Sequence, residues 1–317
     1  MLQFKIKNLS VEQADCFLIL LENSDGNSCN ILVDGNREGK SSTSFLSMKK
    51  EIEKLSKLDY IIVTHVDNDH IGGILSLFQE YSTHKLNKLL DTTLIYNYIT
   101  RDRISYSQAK KFEDLIEGRL VIQSYKETYE KKHCLLKILN ISERCIATTI
   151  LTNRDKNAYL TFISPDKAGI EAVIKDYKDI KNKIKTSPNK SLVNKNSISF
   201  LLEFGGSSVL FLGDTYWKEV QPIVGNIKNL ENINLIKIPH HGASKNNENI
   251  IEWSFKMHCK KFIITGKENW DKEHPDEMII EELNKVYGNN VKIYSKINLK
   301  IDGNVINSEE IDMLGGE

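Results

Sequence analysis

Thr64-His65-Val66-Asp67-Asn68-Asp69-His70-Ile71-Gly72-Gly73 is the stretch whose reading decides the fold. It follows Leu58-Asp59-Tyr60-Ile61-Ile62-Val63, an apolar run with β-branched residues that reads as a buried strand. It leads into Ile74-Leu75-Ser76-Leu77-Phe78, part of a helix expected from Ile71 to about Ser82. His65, Asp67, Asp69 and His70 therefore gather in a tight loop at the carboxyl end of a strand, where an α/β fold has backbone free to shape a site. Imidazole and carboxylate together suit borderline cations such as Zn2+ or Mn2+. Chance can also place two His and two Asp this close, so the reading needs partners elsewhere in the chain.

Upstream, residues 1–7 and 14–21 read as strands, and Asp25-Gly26-Asn27 marks a turn into a third, Cys29-Asn30-Ile31-Leu32-Val33. That order implies an antiparallel beginning to a sheet. Phe45, Leu46, Met48, Ile52 and Leu55 recur at helical spacing, which predicts an amphipathic helix over 44–57. Asp34 closes the third strand. By spacing alone it is a turn aspartate, and its alternative is a carboxylate that holds a metal-loop imidazole in its binding tautomer.

Residues 83–163 are less legible. Strands are expected at 94–98 and 158–163 and a helix at 105–117, while 135–139 and 146–151 suit either type. Ser164-Pro165 reads as a helix start, with Ser as N-cap and Pro at the first helical position. Ile170, Val173, Ile174, Tyr177, Ile180 and Ile184 continue one apolar stripe, opposite Lys167, Lys175, Lys178, Lys181, Lys183 and Lys185, with Lys190 and Lys195 beyond. Such a basic face is either a solvated helix surface or a rim for phosphates, and charge runs favour the former. The pattern sharpens again at 197–204 and 208–212, strands of a hairpin turning at Gly205-Gly206 and ending at Gly213-Asp214. Ile233-Asn234-Leu235-Ile236-Lys237-Ile238 is a further strand that breaks at Pro239 and delivers His240-His241-Gly242. Lys261–Thr265 repeats the design and reaches Glu273-His274-Pro275, and a hairpin at Asp302-Gly303 is expected to close the sheet.

The 317 residues can bury a full core, and no repeat or low-complexity linker divides them, so 1–317 reads as a single domain. Lys+Arg and Asp+Glu are both 43, so no net field steers the molecule to nucleic acid or anionic lipid. No apolar run is long enough to span a bilayer, and the start lacks the apolar core of a signal peptide. The five cysteines form no CxxC pair and read as reduced thiols of a cytoplasmic protein.

Three separate strand ends thus deliver His or Asp groups: the 64–73 loop, Asp214, and His240-His241. A structural zinc site would be closed by four ligands and rich in Cys. Here at least six candidates, His65, Asp67, Asp69, His70, Asp214 and His240, occur without nearby Cys, which suits two divalent cations with open positions. Asp214, alone after its hairpin, is the expected bridge. His240 leaves its strand directly and is the expected ligand of the pair, His241 then being a proton donor, a residue that orients a ligand, or a packing residue. His84, His133 and His258 lie at no expected strand end and are read as ordinary.

The ordered series resembles the metallo-β-lactamase fold hydrolases over nearly the whole chain. Within them it is similar to the ComEC-like group. The carrying residues are Val11-Glu12-Gln13-Ala14-Asp15, Leu32-Val33-Asp34-Gly35, His65-x-Asp67-x-Asp69-His70-x-Gly72-Gly73, Asn196-Ser197, Leu212-Gly213-Asp214, Pro239-His240-His241-Gly242 and His274-Pro275. The resemblance implies an α/β four-layer αββα sandwich, with a helical insertion around 83–195 and metals in the groove at the strand ends. It moves Asp34 to the tautomer-holding role, places Asn196 beside the ligands, and lets His274 stabilise charge on a leaving oxyanion. Two departures from the broader superfamily stand out. Asp67 replaces its second His, and no His stands near Asn196 where the first metal would take a third. An oxygen-richer first site favours Mn2+ or loosely held Zn2+.

The expected function is metal-dependent hydrolysis of a phosphoester by a metal-bound hydroxide, with nucleic acid or a nucleotide as substrate and Asp69 or His241 handling protons. Its rivals are hydrolysis of a carboxyl ester, lactone or thioester, and a non-catalytic partner or sensor module docking a protein through the 83–195 insertion.

Overall fold

The computed structural model describes residues 3–84, 89, 92–96, 146–151, 158–227, 230, 232–267, 274–299, 301–307 and 309–313. In chain order the first strands are β1 Gln3–Asn8, β2 Phe17–Glu22, β3 Ser28–Val33, β4 Tyr60–Ile62 and β5 Thr93–Ile95. They are followed by β6 Ile146–Leu151, β7 Ala158–Ser164, β8 Ser199–Phe204, β9 Ser207–Phe211 and β10 Leu235–Lys237. The last are β11 Lys261–Ile263, β12 Lys292–Tyr294, β13 Asn304–Ile306 and β14 Glu310–Asp312. The helices are α1 Thr43–Lys54, α2 Asn68–His84, α3 Lys167–Lys181, α4 Lys190–Lys195, α5 Trp217–Val224, α6 Ile250–Lys256 and α7 Glu277–Tyr287.

Two sheets form, a six-stranded one in the order β14-β1-β2-β3-β4-β5 and an eight-stranded one in the order β13-β12-β11-β10-β9-β8-β7-β6. The β1–β3 meander is antiparallel as expected, and β3, β4 and β5 then run parallel. The second sheet has the same plan, antiparallel over β6–β9 and parallel from β9 to β13. Alternation along the strands explains the layering, because successive side chains point to opposite faces. Phe17, Ile19, Ile31 and Val33 meet Leu160, Phe200, Leu202 and Phe211 between the sheets. Their alternates Leu18 and Leu32 pack outward on Phe45, Met48, Ile52, Ile74 and Leu75 of α1 and α2. On the far side Leu210, Ile236, Phe262 and Ile293 meet Trp217, Ile250, Ile279 and Leu283 of α5, α6 and α7. The result is the αββα arrangement.

Several local expectations shift. The helix after the metal loop starts at Asn68 rather than Ile71, because the Asp67 carbonyl already accepts from the amides of His70 and Ile71 at 3.0 Å each. α1 stops at Lys54, capped at its start by Ser42 Oγ, which accepts from Phe45 N at 3.2 Å. Ser164 is not an N-cap; it ends β7, and Asp166 caps α3 by accepting from Gly169 N at 2.8 Å. Ile184 lies beyond the end of α3 and is exposed, so it leaves the apolar stripe. The block around 83–195 is not purely helical, since β5 extends the first sheet and β6 and β7 the second. Asp302-Gly303 is no hairpin, because β12 and β13 pair in parallel. A Cβ on Gly303 would lie 2.4 Å from Val291 Cγ1, so this glycine serves a close chain approach rather than a reversal. The expected helix at 105–117, the 135–139 segment and His133 lie outside the described residues. No helix among the described residues is long and apolar enough to cross a membrane.

Candidate metal centre

The loop after β3 and the start of α2 are built to touch. Gly35 N donates to His70 O at 2.7 Å and Gly73 N to Asn36 O at 2.9 Å. A Cβ on Gly73 would stand 1.7 Å from Gly35 O, and one on Gly72 would stand 2.1 Å from Glu38 N. The glycine pair of the metal loop is thus a steric requirement of this contact. It brings Asp34, at φ 56, under the loop. Asp34 Oδ1 accepts from Thr64 N at 2.8 Å, and Oδ2 accepts from Thr64 Oγ1 at 2.7 Å and lies 2.8 Å from His70 Nδ1.

The strand ends converge as the sequence implied. Asp214 stands at the centre: its Oδ1 is 3.4 Å from His70 Nε2, and its Oδ2 is 3.7 Å from His65 Nε2 and 3.6 Å from His240 Nε2. Asp67 Oδ2 is 3.9 Å from His65 Nε2, and Asp69 Oδ2 is 3.9 Å from His241 Nε2. His240 and His241 reach inward because both adopt left-handed backbone, φ 46 and φ 55, directly after Pro239. Such conformations are costly for non-glycine residues and cluster at functional sites.

Hydrogen bonding at the outer nitrogen of each ring decides what its inner nitrogen offers. Thr64 Oγ1 gives its proton to Asp34, so at 3.1 Å it accepts from His65 Nδ1–H. Asp34 accepts from His70 Nδ1–H, and Asn246 Oδ1 accepts from His240 Nδ1–H at 3.1 Å. Thr265 Oγ1 donates to Asp15 Oδ1 at 2.8 Å and therefore accepts from His241 Nδ1–H, also at 2.8 Å. Neutral rings so held all turn Nε2 lone pairs toward carboxylate oxygens. Left alone, that arrangement is repulsive. His65 Nε2, His70 Nε2, His241 Nε2 and Asp214 Oδ1 are buried and make no hydrogen bond. Buried polar atoms are otherwise almost always paired, so the cage asks for cations. His65, His70 and Asp214 form one compact ligand group and Asp69, His70 and His241 another, each with ligand atoms within 4.8 Å of one another.

Electrostatics agree. Burial and the neighbouring His70 push the His65 imidazole down to about 4, so it is neutral near pH 7. Burial alone would push the Asp214 carboxyl up, but His70 and His65 hold it well below the usual range. His70 is raised despite burial, by Asp214 and then Asp34, so a proton takes a cation's place between those carboxylates. Asp15 behind the cage is ion-paired with the buried Lys237. Setting that neutral pair aside, the carboxyl groups of Asp34, Asp67, Asp69 and Asp214 surround rings that bind a cation in their neutral form, and fully ionised they would balance two divalent cations.

His274 also reaches the rim, with its ring centroid 5.0 Å from that of His240 and its Nδ1 fixed by Asp276 Oδ1 at 2.7 Å. Asn196 donates to the Gly169 and Leu192 carbonyls and ties α3 to α4. Its neighbour Ser197 touches the cage, 3.3 Å from His65 Nδ1 and accepting from Asp214 N at 3.1 Å. His258 is exposed on a left-handed turn. Lys237 and Thr265 escaped the sequence reading, although a lone Lys within an otherwise apolar strand was a usable signal. A buried cation at such a position needs a buried partner.

Residues 9–124 match the family model described as Metallo-beta-lactamase superfamily. No curated protein matches the chain. Among solved structures, a long form RNase Z from yeast is similar at 14% identity and a TM-score of 0.38, over 85% of this chain and 38% of that one. CmlA, a diiron beta-hydroxylase from Streptomyces venezuelae, is similar at 10% identity and a TM-score of 0.42, over 98% of this chain and 54% of that one. The chain thus spans less than two thirds of either structure.

Proposed function

We propose that this protein is a metal-dependent phosphodiesterase of the ComEC-like kind. The observation that carries the reading is the convergence of imidazole Nε2 atoms on the two oxygens of Asp214, with no hydrogen-bond partner for the most buried of them. One cation would be held by His65, Asp67, His240 and Asp214 Oδ2, the other by Asp69, His70, His241 and Asp214 Oδ1. This departs from the sequence expectation, which made His240 the ligand and left His241 as a proton donor, an orienting residue or a packing residue. His241 is the more buried of the two, and Thr265 pins it in the ligand tautomer. His240 then supplies the imidazole missing near Asn196. Two bound divalent cations supply Lewis acidity toward a phosphoryl oxygen and lower the pKa of coordinated water.

The chain's own groups do the remaining work. Asp34, Thr64, Thr265 and Asn246 fix the tautomers, so no ring must reorient when a substrate arrives. His274, whose Nδ1 lies 2.7 Å from Asp276 Oδ1 at the open rim, would be the group that serves the departing oxygen. The phosphodiester choice is supported by the motif series and by the fit of a two-cation cage to phosphoryl transfer to water. The test is a substrate panel on protein loaded with Mn2+ or Zn2+: bis-4-nitrophenyl phosphate, an oligonucleotide, a lactone and an acyl thioester. Cleavage of the phosphodiesters with about two bound metal equivalents is expected. Turnover of the lactone or thioester alone, or no bound metal, overturns the reading.

A further inference from the structure

Two cations flank the cage and belong to none of its hydrogen bonds. Arg37 lies in the loop that the Gly72-Gly73 pair allows against α2, so its backbone position is set by packing. Its Nη2 donates to Gln13 O at 3.2 Å and stands 3.6 Å from Asp69 Oδ2, yet the side chain is 52% exposed. A guanidinium has five donor hydrogens, and one carbonyl uses only one of them. On the other side, α4 is seated on the metal loop. Val193 and Leu192 pack in a small cluster with Val66, and Asn194 Nδ2 is 3.4 Å from His240 Nδ1. Lys190 sits one helical turn before Val193, on the same face. That packing against Val66 brings the Lys190 end of α4 within electrostatic reach of the neighbouring Asp67. Other lysines of this region are engaged, Lys185 with Asp176 and Lys195 with Glu219, whereas Lys190 makes no ion pair among the described residues.

We infer that Arg37, beside Asp69, and Lys190, beside Asp67, form a two-sided clamp for the phosphates that flank a scissile bond. The substrate it selects is an internal phosphodiester of a nucleic-acid chain. The inference rests on the phosphodiesterase reading above and deepens it. Once Asp67 and Asp69 spend their charge on cations, both basic groups face the rim with donors to spare, and a chain carrying a phosphate on either side of the reacting one satisfies both. An isolated diester satisfies neither. Phosphate contacts of this kind position a chain without reading its bases.

The experiment compares Arg37→Gln and Lys190→Gln with the wild type, as full-length metal-loaded protein, on bis-4-nitrophenyl phosphate and on a single-stranded oligothymidylate. KM for the oligothymidylate is expected to rise roughly tenfold in each variant, and the slope of log KM against log salt to fall by about 1. Bound metal and kcat/KM for bis-4-nitrophenyl phosphate should stay within about twofold of wild type, because these residues hold neither cation nor reacting phosphoryl group. An unchanged oligothymidylate KM, an equal loss on both substrates, or loss of metal overturns the clamp. If the wild type cleaves neither substrate, the phosphodiesterase reading falls separately. Fluorescence anisotropy of labelled oligothymidylate then decides the clamp: weaker binding in the variants upholds it, and unchanged binding overturns it.

Discussion

Asp214→Asn is expected to lose metal from both halves of the cage at once, with activity falling by more than the roughly 10–100-fold typical of losing a group that only orients a ligand. Asp214 Oδ1 faces His70 and Oδ2 faces His65 and His240, so one substitution removes charge shared by two ligand sets. The amide keeps the size of the carboxylate but turns an NH2 toward one set of lone pairs, which competes with a cation there. Since Asp214 N is held by Ser197 Oγ and its carbonyl by Asn246 Nδ2, the backbone should not move. Metal content by elemental analysis together with the melting temperature of the metal-free protein checks this. Near-wild-type metal content in a well-folded Asp214→Asn protein contradicts the shared-ligand geometry.

Lys237→Met should act through stability. The Lys237 ammonium is buried and pairs with Asp15 Oδ2, while Asp15 Oδ1 accepts from Thr265 and lies 3.4 Å from His241 Nδ1. Removing one member of a buried pair leaves an uncompensated charge and costs about 3–5 kcal/mol. Replacing both by apolar residues, as in Lys237→Met with Asp15→Leu, should recover much of that loss in urea unfolding. Metal binding should not recover with it, since Thr265 then loses the carboxylate that makes it accept from His241. The sign of the pH dependence follows from the groups around Asp15. Burial pushes its carboxyl up, but Lys237, then His241 and His70, hold it far below the usual range. A depressed carboxyl contributes stability above its unfolded value near 4, lost as pH falls through the lower folded value. Wild type should therefore keep this contribution through mild acid. In Lys237→Met, burial dominates and the folded value rises, so the variant's deficit relative to wild type should shrink as pH drops from 7 toward 5. A deficit that does not change with pH, measured on metal-free protein, contradicts this account.

Much of the centre was readable in one dimension because strand ends punctuate the chain. Loop chemistry stands out against the apolar runs 58–63, 208–212 and 233–238, so His65, Asp67, Asp69, His70, Asp214 and the histidine pair could be singled out without coordinates. The antiparallel start and α1 were legible from period alone, and their boundaries moved by only a few residues. The strand at 158–164 was legible as such, whereas 146–151 was not, since its short run Ile146-Ala147-Thr148-Thr149-Ile150-Leu151 suits either type until it pairs with 158–162. Asp302-Gly303 misled because Asp-Gly marks a turn, whereas this glycine answers to Val291 in space.

Sequence by itself determined which chemical groups the protein owns and that they leave from strand ends, because residue type and hydrophobic period are local properties. Tertiary structure alone decided which nitrogen of each histidine faces inward, that Asp15 and Lys237 neutralise each other behind the cage, and that Arg37 and α4 border it. Those outcomes depend on hydrogen bonds and charges between residues up to 250 positions apart, as between Thr265 and Asp15, and no local pattern encodes them.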